Sequence, residues 1–380
     1  IWKYMLSCLN INKGDKPMYD VMISGYYGFG NSGDDAILLA IIENLRKIKK
    51  DIRIVVLSKN PKDTASIYGV DSIDRFNLFK VIGTMKKTRL FLNGGGNLIQ
   101  DVTSTRSLVY YLTTIYLAKL MGLKVMLYAN GIGPVTGRTN RYFTSKIIDR
   151  VDIITLREEA SGLELKSLGV KKPEIHVTAD PALGLEPAGP EEIEKLLQKE
   201  GIPADTPLIG FSIRKWRGYE AYSRIIAQTA DYIEETYNAK SVFIPLHFPS
   251  DLAVAEDIAS KMKHSPSILR NIYDTDKILG IMKRMDLVLG MRLHALIYSV
   301  SLSVPVIGLI YDPKVQGFLE YVNQPWAGNV ADLNLDSLKK LIDEVWSSRK
   351  EISQQLEKGN RLLKQKAYEN AEIAIKLLEQ

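Results

Sequence analysis

Residues 286–296, DLVLGMRLHAL, set the frame in which the rest of this 380-residue chain is read. The stretch combines a short apolar strand at 287–289, a glycine turn and the start of a helix that carries Arg292 and His294. The first N–H groups of a helix lack intrahelical partners and sit at the positive end of its dipole, so the turn favours an anion. A guanidinium and an imidazole there add the means to hold a phosphate or carboxylate and to move a proton. A capping arginine beside a satisfied buried histidine writes the same local pattern. What separates the two readings is recurrence, because other strands in this chain also end in polar or glycine-rich signals.

Working outward, β-branched runs alternate with helical patterns from Tyr19 onward. Strands are expected at 19–25, 52–58, 89–93, 124–128, 151–155 and 174–178, with helices between them. At 184–207 the texture changes to prolines and glycines around one charged helix. The alternation then restarts, with strands at 208–213, 241–246, 267–269, 287–289 and 304–310, and the chain closes in helices over 335–380. Such alternation argues for parallel sheets covered on both faces. The fold class expected is α/β, two Rossmann-like domains facing a cleft. The division expected is an extension over 1–17, an N-terminal domain over 18–186 and a C-terminal domain over 187–380, its last helices packing back across the first.

Ligands of open α/β sheets bind beyond the carboxyl ends of the strands. There the chain places GYYGFGNSGDDA (25–36), Gly94-Gly95-Gly96-Asn97, Asn130-Gly131, Arg157, Asp180, Arg214, His247, the Arg292–His294 turn and Tyr311-Asp312. Gly28-Phe29-Gly30-Asn31-Ser32-Gly33 matches G-x-G-x-x-G in a strand–turn–helix context. The next strand, however, ends Leu57-Ser58-Lys59, without the carboxylate that reads an adenosine ribose, so a nicotinamide cofactor is not expected. These glycines serve either close backbone packing or a ligand lying over the loop. The Gly94–Gly96 run is read as close approach of a ligand. Arg157 has a local alternative in a salt bridge to Glu158 or Glu159, Arg214 in a basic face around Trp216, and His247 in a capping role. The histidines are scattered, so no metal site is expected.

The net charge of +6, with basic clusters at 47–50, 86–89 and 214–217, suits an anionic small molecule or an anionic membrane surface. No zinc-finger spacing and no basic stripe interleaved with aromatics is present, so no nucleic-acid partner is expected. The single cysteine, Cys8, excludes an intrachain disulfide. No run approaches the ~20 apolar residues of a membrane span.

Seven segments carry a family resemblance: GYYGFGNSGDDAIL (25–38), NGGGNLIQD (93–101), LMGLKVMLYANGIGP (120–134), TLREEAS (155–161), VTADPAL (177–183), PLHFPSD (245–251) and GMRLHALI (290–297). Together, and in this order, they resemble the polysaccharide pyruvyl transferases, most of all the CsaB type that acts on cell-wall polysaccharide precursors. The resemblance implies a glycosyltransferase-B-like fold and phosphoenolpyruvate as donor and co-substrate, with no further cofactor. It implies a lipid-linked glycan acceptor bearing N-acetylmannosamine, and a pyruvate ketal product that serves S-layer anchoring. A cytoplasmic protein loosely associated with the inner membrane face is expected. Arg157, Arg292, Leu293, His294 and Arg214 are the expected donor-binding residues. His294, Asp180 and His247 are the expected acid–base residues. Gly28, Asn31, Asp34, Gly95, Gly96, Asn97 and Asn130 are expected to face the acceptor. Two positions depart from the family pattern: Asp35 where glutamate is expected after Asp34, and Asn130 where glutamine is expected. A nucleotide-sugar glycosyltransferase and a non-catalytic saccharide-binding protein are the competing readings.

Overall fold

A computed structural model describes residues 17–203 and 205–380. The stretch read as an N-terminal extension lies outside the described residues except for Pro17, and Cys8 lies outside them too. The chain divides into two compact units. The first comprises the described residues up to Phe29 together with Asp34–Pro181 and Gln365–Gln380; the second comprises Gly30–Gly33 and Ala182–Lys364.

The first unit is built on a seven-stranded parallel sheet: β1 (Tyr19–Ser24), β2 (Ile54–Ser58), β3 (Asp71–Asp74), β4 (Thr88–Ile99), β5 (Lys124–Ile132), β6 (Ile153–Leu156) and β7 (Glu174–Val177). Their order is β3-β2-β1-β4-β5-β6-β7. Its central strands are apolar on both faces, as a sheet covered by helices on each side requires. Met22, Phe91, Val125 and Leu127 enter one core with Leu108 and Ile115 of helix Thr105–Leu120. Ile23, Leu92 and Met126 enter the other with Ile37 and Ile41 of helix Ser32–Ile48. Ala371 and Ala374 of helix Leu335–Glu379 complete that second core. Asn370 ties the same helix to the end of β7, accepting from Thr178 Oγ1 at 2.8 Å and donating to the Ala179 carbonyl at 3.1 Å.

β4 and β5 run further than the sequence suggests, through Gly94–Gly96 and Asn97 and through Asn130. Packing supplies the reason. A Cβ on Gly95, whose φ is +47°, would lie 2.2 Å from Cγ2 of Ile37, and one on Gly94 would lie 2.6 Å from the Tyr27 hydroxyl. The strand therefore continues beneath the helix only where side chains are absent.

The second unit repeats the plan with β8 (Leu208–Ser212), β9 (Lys240–Phe243), β10 (Ser267–Ile268), β11 (Leu287–Gly290), β12 (Val306–Ile310) and β13 (Trp326–Asn329), all parallel. The order β10-β9-β8-β11-β12-β13 matches that of the first six strands of the first unit. Strand order reverses between β1 and β4 in one unit and between β8 and β11 in the other; these are the switch points where open sheets bind ligands. The helices expected over 335–380 form one helix, Leu335–Glu379, of 45 residues.

Candidate functional site

The 286–296 stretch lies at the switch point of the second unit. Met291 N–H donates to the Ser212 carbonyl at 2.9 Å, which ties the end of β11 to the end of β8. Arg292 then takes an extended conformation as the N-cap residue, and the helix Leu293–Ser301 follows. The Arg292 guanidinium grips Asp251 with two arms, Nε to Oδ2 at 2.9 Å and Nη2 to Oδ1. Asp251 is buried and also accepts the backbone N–H groups of Leu246 at 3.3 Å and His247 at 3.1 Å. Charge-assisted, two-armed pairing of this kind fixes direction as well as charge. The Arg292 side chain nevertheless stays 15% exposed.

The segment Gly30–Gly33 lies on this turn. Ser32 N–H donates to the Leu246 carbonyl at 3.0 Å, Asn31 forms an isolated antiparallel bridge with His247, and Tyr298 donates to the Ser32 carbonyl at 2.8 Å. A Cβ on Gly33 would stand 2.1 Å from Nδ1 of His294. The last glycine of the G-x-G-x-x-G signature is therefore the space that His294 occupies. Gly28 has a different reason: at φ +77° its Cβ would meet Ser58 Oγ at 2.3 Å and the Asn60 nitrogen at 2.7 Å. Gly30 has open space around it.

His247 carries its imidazole 3.0 Å from the Ser250 hydroxyl. Burial, with the Arg292 charge added, holds it below the ordinary histidine range. It is thus neutral at pH 7 and suited to accept a proton. Arg214, beyond β8, donates to the Tyr311 hydroxyl at 3.2 Å, and its guanidinium lies 5.1 Å from the Trp216 ring and 4.9 Å from the Tyr311 ring. Its Nε is buried without a hydrogen-bond partner.

In the first unit Arg157 follows β6 and Asp180 follows β7. Arg157 donates through Nε to Glu158 at 3.0 Å and through Nη1 to Asp180 at 3.1 Å, with the side chains of Arg157 and Asp180 each 4% exposed. Its remaining arm, Nη2, lies against Gly131, where a Cβ would come within 3.1 Å. Asn130 is fully buried and neither its amide nitrogen nor its oxygen has a hydrogen-bond partner; the same is true of Asn93 on β4. Asn97 donates to the Gly133 carbonyl at 3.0 Å. Asp34 lies near Gly96, its Oδ1 3.3 Å from the position a Cβ there would take.

The second unit therefore gathers Asn31, His247, Arg292, Leu293 and His294 into one cluster, with Arg214 at the neighbouring strand end. The first unit holds Arg157 with Asp180 at one side of its sheet, and Gly95, Gly96, Asn97, Asn130 and Asp34 near the ends of β4 and β5. Gly28 packs against the end of β2. Sequence reasoning missed Asp251, although it lies four residues beyond His247 at the start of helix Ser250–Ala259, where a carboxylate commonly caps. In the sequence Asp35 stands out only as a departure from the family pattern; burial pushes its carboxyl up to about 6 in spite of its place in a helix first turn. Among the described residues, no three His, Cys, Asp or Glu side chains cluster as a metal set would.

The fold, two parallel sheets each with alternating helices, has solved counterparts. A glycosyltransferase from Rickettsia africae aligns over 96% of this chain and 100% of its own, at 13% identity and a TM-score of 0.63. Anabaena HepE in complex with UDP-glucose aligns over 95% and 99% at 13% identity and 0.66. A putative UDP-N-acetylglucosamine 2-epimerase from Listeria monocytogenes aligns over 93% and 94% at 15% identity and 0.67. At such identities the likeness establishes a glycosyltransferase-B-like α/β architecture and nothing narrower. No curated protein matches significantly in sequence. The profile of the polysaccharide pyruvyl transferases matches residues 31–313, well over half of the chain, and this protein belongs to that family. It is a transferase of the polysaccharide-pyruvylating class.

Proposed function

We propose that the enzyme transfers the three-carbon unit of phosphoenolpyruvate, as a pyruvate ketal, to a sugar diol of a lipid-linked cell-wall polysaccharide precursor, an N-acetylmannosamine unit, and releases phosphate. The observation that carries the reading is the Arg292 turn: a partly exposed guanidinium aimed by Asp251, beside a helix N-terminus and His294, at the switch point of a parallel sheet. Arg292 and the N–H groups of Leu293 and His294 hold one anionic group of the donor. Arg214, whose Nε is buried without a partner, serves the other; Arg157 stays held by Asp180 and Glu158 within the first unit. Protonation of the enol carbon generates cationic character at C2; a sugar hydroxyl adds there, the C2–O bond to phosphate breaks, and a second hydroxyl closes the ketal, its proton leaving with the phosphate. His294 delivers the proton. His247, neutral at pH 7, takes one from the acceptor, with Asp180 orienting charge at Arg157. Gly28, Asn31, Asp34, Gly95, Gly96, Asn97 and Asn130 belong to the acceptor side, where carboxamides that both donate and accept suit hydroxyl groups.

A cationic surface without a helix long and apolar enough to cross a membrane, among the described residues, suits work at the cytoplasmic membrane face. The product ketal would then serve S-layer anchoring. The test is phosphate release from phosphoenolpyruvate in the presence of synthetic lipid-linked disaccharides. Release that requires both substrates and falls about 10²–10⁴-fold in His294→Ala supports the reading. Near-normal single turnover in that variant removes His294 from it. The fold likeness to HepE, solved with UDP-glucose, favours a second reading as a nucleotide-sugar glycosyltransferase. A melting-temperature rise with UDP-sugars and none with phosphoenolpyruvate would establish that one instead.

A further inference from the structure

The first unit contains an arginine for which the proposed chemistry has no use. Arg75 follows β3, is 5% exposed, and no carboxylate pairs with it among the described residues. Nη1 donates to the Gly25 carbonyl at 2.7 Å and Nη2 to the Tyr111 hydroxyl at 3.3 Å, while Nε is buried without a partner. Four ring centroids surround the guanidinium carbon: Tyr110 at 4.3 Å, Phe29 at 5.3 Å, and Phe76 and Tyr111 at 5.4 Å. Tyr26 stacks on Phe29 at 4.1 Å with the ring planes 5° apart.

A desolvated cation without a counter-ion is costly, and the ring faces are what offset it. A staple whose only task was to hold the core would bury all four rings. Tyr111 is buried, but Phe76 is 58% exposed, and Tyr26, stacked on Phe29, is 38% exposed. The cation therefore backs rings that reach water, and the Lys59 ammonium stands over the Phe76 ring, 5.3 Å from its centroid, as a charged donor. The cluster stands at the carboxyl ends of β1 and β3, the edge at which sheets of this order bind ligands.

We infer that the Arg75-backed rings are a stacking platform for a sugar of the acceptor polysaccharide, one unit removed from the sugar that is modified. This rests on the acceptor being a glycan. A pyranose offers an apolar C–H face and a hydroxyl rim, which a fixed ring with a charged donor beside it matches; an acyl chain needs a channel. β3 lies two strands from β1, about 10 Å along the sheet edge. Phe76, beyond β3, therefore meets a neighbour of the sugar held beyond β1, and Tyr26 and Phe29 span the distance between them.

The test is titration of the full chain, by saturation-transfer NMR, with a disaccharide and a tetrasaccharide that each end in N-acetylmannosamine. The wild type is expected to bind the longer sugar about tenfold more tightly, the scale of one good ring contact. Phe76→Ala and Tyr26→Ala should each reduce that advantage to about twofold or less. Ile67→Ala, which removes an exposed apolar residue elsewhere on this unit, should leave it intact. Equal affinity for both lengths, an advantage that survives in both variants, or no binding of either sugar overturns the proposal. Farnesyl diphosphate binding that only the two ring variants lose reassigns the surface to a lipid carrier and also overturns it. Phosphate release from phosphoenolpyruvate is read separately on the same preparation. Length-dependent binding without release keeps the platform and sinks the transfer chemistry.

Discussion

Arg157 and Arg292 each follow a parallel strand and each pair with a buried aspartate, yet their surroundings differ. Arg157 follows β6, two strands from the switch point of its sheet, and is enclosed by Asp180 and Glu158 with 4% of its side chain exposed. Arg292 follows β11, at the switch point itself, and keeps 15% exposed while Asp251 holds one edge of its fork. A guanidinium wrapped on two sides is largely committed to the fold, whereas one oriented from behind by a single carboxylate is aimed outward. Position in the strand order thus separates an arginine that chiefly braces from one that chiefly presents charge.

The sharpest way to break this comparison is to remove the carboxylates. Asp180→Ala should cost about 3 kcal/mol in urea unfolding, the low end of the loss for a broken buried ion pair, because Glu158 still holds the Arg157 Nε. Asp251→Ala should cost less stability and more turnover, because it releases the aim of a partly exposed arginine. Equal stability losses would erase the distinction between brace and presenter. Next in size is Gly33→Ala. With a Cβ placed 2.1 Å from His294 Nδ1, the imidazole must move, and kcat should fall about 10²-fold with little change in the far-UV circular dichroism. Unchanged kcat would detach His294 from the chemistry.

A third carboxyl sharpens the contrast from the other side. Among the described residues no arginine pairs with Asp35, and burial lifts it to about 6, so the folded state holds this proton where the unfolded chain has lost it. Stability is therefore fully present below the unfolded value near pH 4, declines as pH rises toward 6, and stays reduced above. Asp35→Asn should gain about 3 kcal/mol at pH 8 and almost nothing at pH 3.5, read from urea midpoints at the two pH values. A gain at pH 3.5 equal to that at pH 8 would exclude the titration as its cause. The smallest effect expected is on donor affinity. Arg292→Lys should weaken phosphoenolpyruvate binding about tenfold by calorimetry, the loss of fork geometry without loss of charge. Arg157→Lys should change it less; the reverse order would invert the comparison.

Much of this was legible in the chain. The alternation of β-branched runs with helical patterns marks two parallel sheets because side-chain periods of 2 and 3.6 are local properties. The strand-end residues Arg157, Asp180, Arg214, His247, Arg292 and His294 all lie beyond carboxyl ends of strands. Less legible were Gly94–Gly96 and Asn130. They read as loop signals, but β4 runs through its glycines close beneath helix Ser32–Ile48, and Asn130 continues β5 by pairing with Gly96. Arg75 and Asp251 gave no signal of their own: one arginine among basic residues and one aspartate in a helix first turn are ordinary until their neighbours are known.

The sequence alone determined the α/β class, the proline-rich break between two repeating halves and the family, since these depend on spacing along the chain. Only the tertiary structure decided which carboxylate aims Arg292, which glycine admits His294, and that residues 30–33 lie with a second unit whose Tyr298 is 266 positions from Ser32. It also showed that the last helix returns to the first unit. The physical reason is that partners of this kind are chosen by strand order and helix packing, which bring together groups whose separation along the chain carries no periodic signal.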